Sequence, residues 1–224
     1  MRNKGKVLVL MLSAAALVAA SVFGTMAYLT DEEAVTNTFT VGQVGLDLDE
    51  LDVDNDNKAT DNVTTDDGKV RDKANEYHLL PGHEYVKDPT VHIDENSESC
   101  WVFVKVTNEI SAIEWDDDEN YTKVADQITT NGWTTPASAS DNTATVYYKQ
   151  WTKPTSQVEK SYYDLPVFAN FKIDGDSVTN TVLGRFDGKS INVTAYAVQL
   201  DGFNDTAKSD AENAQAAWET ANFN

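Results

Sequence analysis

The chain has 224 residues, with 17 Lys+Arg against 37 Asp+Glu and a formal net charge of −20. That surface would repel a phosphate backbone, which excludes nucleic-acid binding, and it disfavours anionic lipid headgroups for the same reason. Hydrophobic residues at 41% and aromatics at 10% supply a real core, so wholesale disorder is excluded, and the length suits one domain or at most two small ones.

Residues 1–27 carry Arg2, Lys4 and Lys6 and no acid, then an apolar run from Val7 to Phe23, then Gly24-Thr25-Met26-Ala27. A cationic start, an apolar stretch and small residues at alternate positions before a cut read as a secretory signal peptide cleaved between Ala27 and Tyr28. An uncleaved anchor is the alternative, since the run is at the lower limit for spanning a bilayer. Cleavage removes three cations, leaving 14 against 37 and a mature charge of −23. The expected product is exported, with no stable membrane insertion after the cut.

Strand patterns dominate the rest. Thr38 to Leu48 alternates through Phe39, Val41, Val44, Leu46 and Leu48, with Gly42 as a phase-resetting bend. Residues 47–76 are predicted to be a long acidic loop insertion. Asp47 to Asp72 contains ten acids and three bases, too little apolar surface to order itself. Within it Asp52, Asp54 and Asp56 have the alternate spacing of a calcium loop, although Asn57 and Val63 stand where an EF-hand needs Gly and Glu. A true EF-hand is therefore excluded and a looser, weakly bound calcium is the only cofactor expectation. The bland alternative is that the acids keep an exposed insertion soluble.

Further strands are predicted at Glu84 to Ile93, Cys100 to Ile110, Thr143 to Trp151, Pro166 to Ile173, Ser177 to Leu183 and Ser190 to Leu200. Pro81-Gly82, Asn131-Gly132, Asp174-Gly175 and Asp187-Gly188 supply turns between them. Cys100 is the single cysteine, which excludes an intrachain disulfide framework; in its apolar run it reads as a small core hydrophobe. Two helices interrupt the strands. Ser111-x-x-Glu114 followed by Asp116 to Glu119 marks one start, with Tyr121, Val124, Ala125 and Ile128 as its apolar face, and Ser209-x-x-Glu212 marks a C-terminal helix within 205–223. The expected fold is mainly β, an antiparallel jelly roll or β-sandwich over 38–224 with two short flanking helices.

Catalytic motifs are scarce. The histidines are His78, His83 and His92, and His83-Glu84 is followed by Tyr85-Val86-Lys87, so the His-Glu-x-x-His pair that places two imidazoles on one helix face is missing. No Gly-x-Ser-x-Gly elbow, phosphate loop or dinucleotide fingerprint is present. The expectation is therefore no catalytic residue and no enzyme.

The junction Gly24-Thr25-Met26-Ala27-Tyr28-Leu29-Thr30-Asp31 with Asn37-Thr38-Phe39-Thr40-Val41-Gly42 resembles the TasA/camelysin family of Gram-positive exported proteins. Leu80-Pro81-Gly82, Lys87-Asp88-Pro89-Thr90-Val91, Val102 to Val106 and Thr194 to Gln199 are similar as well, scattered over most of the chain. The resemblance implies processing by a SipW-type signal peptidase and a jelly-roll subunit that polymerises head to tail into biofilm-matrix fibres, outside the cell or on its surface. Residues 28–37 would be the donor strand for the next subunit, carried by Tyr28, Leu29, Thr30, Asp31, Ala34, Val35 and Asn37, with a fibre-anchoring protein as a further partner. The three acids Asp31-Glu32-Glu33 depart from an apolar donor and need water or basic partners. The family also carries a metallo-endopeptidase label, so a camelysin-like surface peptidase is the alternative from another class. A monomeric accessory or adhesion module is the third.

Overall fold

The computed structural model describes residues 43–53, 71–116, 122–135, 144–155 and 161–222. All of them belong to one compact unit, Gly42–Asn224. The cleavage junction and the donor segment lie outside the described residues, as do Asp54 and Asp56.

The unit is mainly β, with antiparallel pairing throughout and three helices among the described residues. Its strands are β1 (Leu46–Leu51), β2 (Arg71–Asp72), β3 (Glu84–Val86), β4 (Thr90–Asp94), β5 (Cys100–Asn108), β6 (Thr145–Trp151), β7 (Tyr162–Pro166), β8 (Asn170–Lys172) and β9 (Ile191–Gln199). The helices are α1 (Val124–Thr130), α2 (Asn180–Leu183) and α3 (Asp210–Ala221). One sheet runs β2-β1-β4-β7, a second runs β6-β5-β9, and β3 pairs with β8 as a separate ribbon.

Alternation decides which side chains face inward. Leu46 and Leu48 of β1 lie opposite Ile93 and Val91 of β4, and these pack into one core with Cys100, Val102, Val104 and Val106 of β5. The other face of β5 presents Trp101 and Phe103, which pack with Val146, Tyr148, Ala214 and Ala217 in a second core. Helix α3 thus covers the outer face of the second sheet, with Trp218 against Phe103 and Tyr196 at ring separations of 5.2 and 5.6 Å. Burial on both faces is why Cys100 to Val104 reads as an unbroken apolar run instead of an alternating one. Cys100 is fully buried and desolvation pushes its thiol up to about 12, so it serves packing.

Helix α3 starts as the sequence indicates. Ser209 accepts from the Glu212 N–H and the Glu212 side chain returns to the Ser209 N–H, a complete capping box. The first predicted box is not formed. Ser111–Ile113 is a single 3₁₀ turn, α1 begins only at Val124, and neither has a side-chain cap from its N-cap residue. Instead Glu114 reaches forward: its Oε2 accepts the Val124 N–H at 2.8 Å and its Oε1 accepts from Asn108. Burial raises the Glu114 carboxyl above its ordinary value of 4.5, against those two hydrogen bonds. Its stability contribution is therefore fully present below pH 4.5 and is lost as pH rises through the folded-state value. Thermal unfolding of wild type and Glu114→Gln from acid to neutral pH should show the wild type losing ground to the variant as pH increases.

Three other predicted elements differ. Glu84 to Ile93 is two strands in different sheets, because Pro89 and the preceding residues turn the chain between β3 and β4. Pro166 to Ile173 likewise divides into β7 and β8. Ser177 to Leu183 contains helix α2 where a strand was expected, a single turn that brings Val182 and Leu183 to the core, with Phe186 following from the turn after it. The acidic insertion is narrower than 47–76. Asp47 to Leu51 belongs to β1 and Arg71-Asp72 returns as β2, paired at Glu50↔Asp72 and Leu51↔Arg71.

Turns at Pro81-Gly82 and Asp174-Gly175 meet in space. A Cβ on Gly175 would lie 2.9 Å from the Gly82 Cα, and Gly82 itself has φ +76°, so both positions require glycine.

Candidate functional site

The two sheets differ in how completely their strands are covered. Inward side chains of the central strands β4 and β5 are fully buried: Val91, Ile93, Val102 and Val104 are each 0% exposed. Inward side chains of β1 and β9, namely Leu46, Leu48, Val193, Ala195 and Ala197, are only half-buried although they face the same core. Strand β9 pairs with β5 along one edge, and no described strand occupies its other edge. On β1, β2 pairs only with Glu50 and Leu51, and no described strand pairs with the Leu46 to Asp49 stretch opposite β4. A cleft of about 1040 Å³ lies beside these strands, lined by Leu48, Lys73, Tyr77, Leu79, Leu183, Phe186, Lys189 and Val193, and β1 and β9 also contact each other directly.

The floor of this cleft holds a buried polar cluster. Lys87 is 9% exposed and Glu50 5%, and Lys87 Nζ lies 2.5 Å from Glu50 Oε2. Asn75 Nδ2 donates to Glu50 Oε1 at 2.8 Å and to the Leu51 carbonyl at 2.8 Å, while Asn75 Oδ1 accepts the Val53 N–H at 2.8 Å. Aromatic rings wall it off: Tyr77, Tyr85 and Phe171 contact one another at 5.1 to 5.9 Å, and Lys87 Nζ sits 5.8 Å over the Tyr77 ring. Burial, reinforced by the Glu50 and Asp88 charges, pushes the Tyr77 phenol far above its ordinary 10.0.

A second network lies on the outer face of the first sheet. In the register Asp47↔His92↔Asp164, His92 Nδ1 is 2.7 Å from Asp164 Oδ1 and Nε2 is 2.8 Å from Asp49 Oδ1. Arg71 bonds Asp49 and bridges to Asp88 Oδ2 at 3.2 Å, and Asp88 Oδ1 accepts the Leu51 N–H at 2.6 Å. Lys73 donates to Asp47 at 2.9 Å and holds that carboxyl below its usual range. Charges that read as a solvated loop are thus spent on fastening both ends of the insertion to β1.

His78 and His83 are exposed, and His92 is engaged by carboxylates. Among the described residues no three His, Cys, Asp or Glu side chains are arranged to hold a metal. Of the calcium candidates only Asp52 is described, immediately after β1. No described helix is long and apolar enough to cross a membrane.

Sequence reasoning missed the Glu50, Lys87 and Asn75 cluster. The signal was phase: Glu50 continues the inward series Leu46, Leu48, and Lys87 follows inward Tyr85. Comparison of the chain with protein-family models, with curated proteins and with solved structures returned no match.

Proposed function

We propose that the chain is an exported, structural subunit of extracellular fibres, with a jelly-roll fold of the TasA/camelysin type. Cleavage after Ala27 by a SipW-type peptidase releases residues 28–37 as a donor strand, which enters the cleft beside β1 and β9 of the next copy. The observation that supports this reading is the half-burial of Leu46, Leu48, Val193, Ala195 and Ala197 on two edge strands of an otherwise dry core. A strand added there would satisfy open backbone groups and shield those side chains. Head-to-tail addition of this kind does not close on itself, so it yields filaments. Lys73 and Lys189 on the cleft walls are paired with Asp47 and Glu109, so Asp31, Glu32 and Glu33 of the donor would face water.

Protein beginning at Tyr28 should form fibres visible by negative stain, and deletion of 28–37 should leave a folded monomer that binds a labelled Tyr28 to Asn37 peptide. A deletion variant that still polymerises, or that fails to bind the peptide, rules out donor exchange. Casein digestion that is abolished by chelator would favour the peptidase reading instead. At a mature charge of −23, subunits repel over about 10 Å at roughly 0.1 M salt. Fibre growth followed by light scattering should therefore accelerate as salt is raised, and a salt-independent rate would contradict electrostatic control.

A further inference from the structure

The geometry points to a covalent cross-link: an intramolecular amide between Lys87 Nζ and Asn75 Cγ, formed by the protein on itself with Glu50 as the proton carrier. The three side chains form one contiguous array in which a single carboxylate touches both reacting nitrogens, Lys87 Nζ at 2.5 Å and Asn75 Nδ2 at 2.8 Å. Such positioning converts a sluggish amine–amide exchange into a unimolecular step of high effective molarity.

The groups needed are all present. Attack requires the free amine, and Glu50 Oε2 is placed to take the proton from Lys87. The lone pair of Nζ then adds to the Asn75 side-chain carbonyl. Negative charge developing on Asn75 Oδ1 is met by the Val53 N–H, which already donates to that oxygen at 2.8 Å. Glu50 Oε1, in contact with Nδ2, delivers a proton to the departing nitrogen as the Cγ–Nδ2 bond breaks. One C–N bond forms, one breaks, and ammonia leaves, carrying away a proton from the original lysine ammonium as ammonium ion; Glu50 is regenerated and no oxidant or other reactant is required. The rings of Tyr77, Tyr85 and Phe171 and the near-complete burial of Glu50 and Lys87 limit the water that would compete for the carboxylate at the floor of the cleft.

The link would join the segment returning from the acidic insertion to the β3–β4 connection, fixing one wall of the cleft. It does not depend on the assembly reading, since a monomer holds the same three groups.

The purified full chain should be lighter than its sequence by one ammonia in intact mass spectrometry. After trypsin, Ala74 to Lys105 should appear as one peptide, uncleaved at Lys87 and short by one ammonia. Glu50→Gln protein, its fold checked by circular dichroism, should have its full expected mass and be cut after Lys87. Full mass in the wild type overturns the proposal. So does an ammonia loss that maps to another asparagine or is reversed by hydroxylamine, the signature of a succinimide, and so does a loss that persists in Glu50→Gln. Should the variant not fold, the wild-type peptide map decides alone.

Discussion

Phe103→Ala is expected to lower the unfolding free energy by about 3–5 kcal/mol, the range for deleting a buried aromatic side chain. Phe103 is 0% exposed and stands where three elements meet, across from Tyr148 of β6 and Tyr196 of β9 and 5.2 Å from the Trp218 ring of α3. Neither sheet nor helix can collapse into the space without breaking a β5 register that is paired on both edges. Typical domains have about 5–15 kcal/mol in hand, so the loss is a large fraction of the total. Urea unfolding of the variant beside Tyr162→Ala, whose side chain is 52% exposed, provides the scale. The surface change should stay within about 0.5 kcal/mol. Equal midpoints for the two would show that α3 is not seated on β5 as described.

Relative to protein in which Lys87 is still a free amine, without the Asn75 link, Lys87→Met should cost a similar amount, about 3–5 kcal/mol, for a different reason. Methionine fits the apolar stem of the lysine, but Glu50 is left buried beside Tyr77 with only Asn75 to satisfy it. Most of the penalty is then an uncompensated carboxylate, not a lost attraction. Adding Glu50→Leu to Lys87→Met should recover much of the stability, because an apolar pair removes the stranded charge. A double variant no better than the single one would place the loss in Lys87 itself. Chemical denaturation of the wild type, single and double variants separates these cases.

Period and turn chemistry carried much of the fold. The unbroken apolar run located β5, apolar runs bounded by turns located β6 and β9, and the Ser209-x-x-Glu212 box located α3, because each depends on neighbours in the chain, whereas the strand expected at Thr38 to Leu48 meets β1 only over Leu46 to Leu48. The errors came where distant contacts decide. Ser177 to Leu183 has strand-like composition, yet its contacts with the core select a helical turn. Ser111 and Glu114 have capping spacing, but Glu114 is drawn to the Val124 N–H and Asn108 instead. The acids of 47–52 looked solvated because their partners Arg71, Lys73, Lys87 and His92 arrive from later in the chain. The edges of β1 and β9 that no described strand pairs with were equally invisible, since an edge is a property of strand order and no local pattern encodes it.

The central position of β5 has a consequence for how the chain is made. Cys100–Asn108 pairs with Thr145–Trp151 on one side and with Ile191–Gln199 on the other, so the second sheet joins a mid-chain strand to one near residue 200. Closing so long a loop must precede the reward of pairing, which slows folding. Until Ile191–Gln199 and α3 have been synthesised, Trp101 and Phe103 are covered only by Val146 and Tyr148 of β6, and much of this apolar strand is exposed. A chain synthesised N-terminus first therefore holds this apolar segment half-protected until its last strand and helix are made, which places a premium on chaperoning or on keeping the nascent chain dilute.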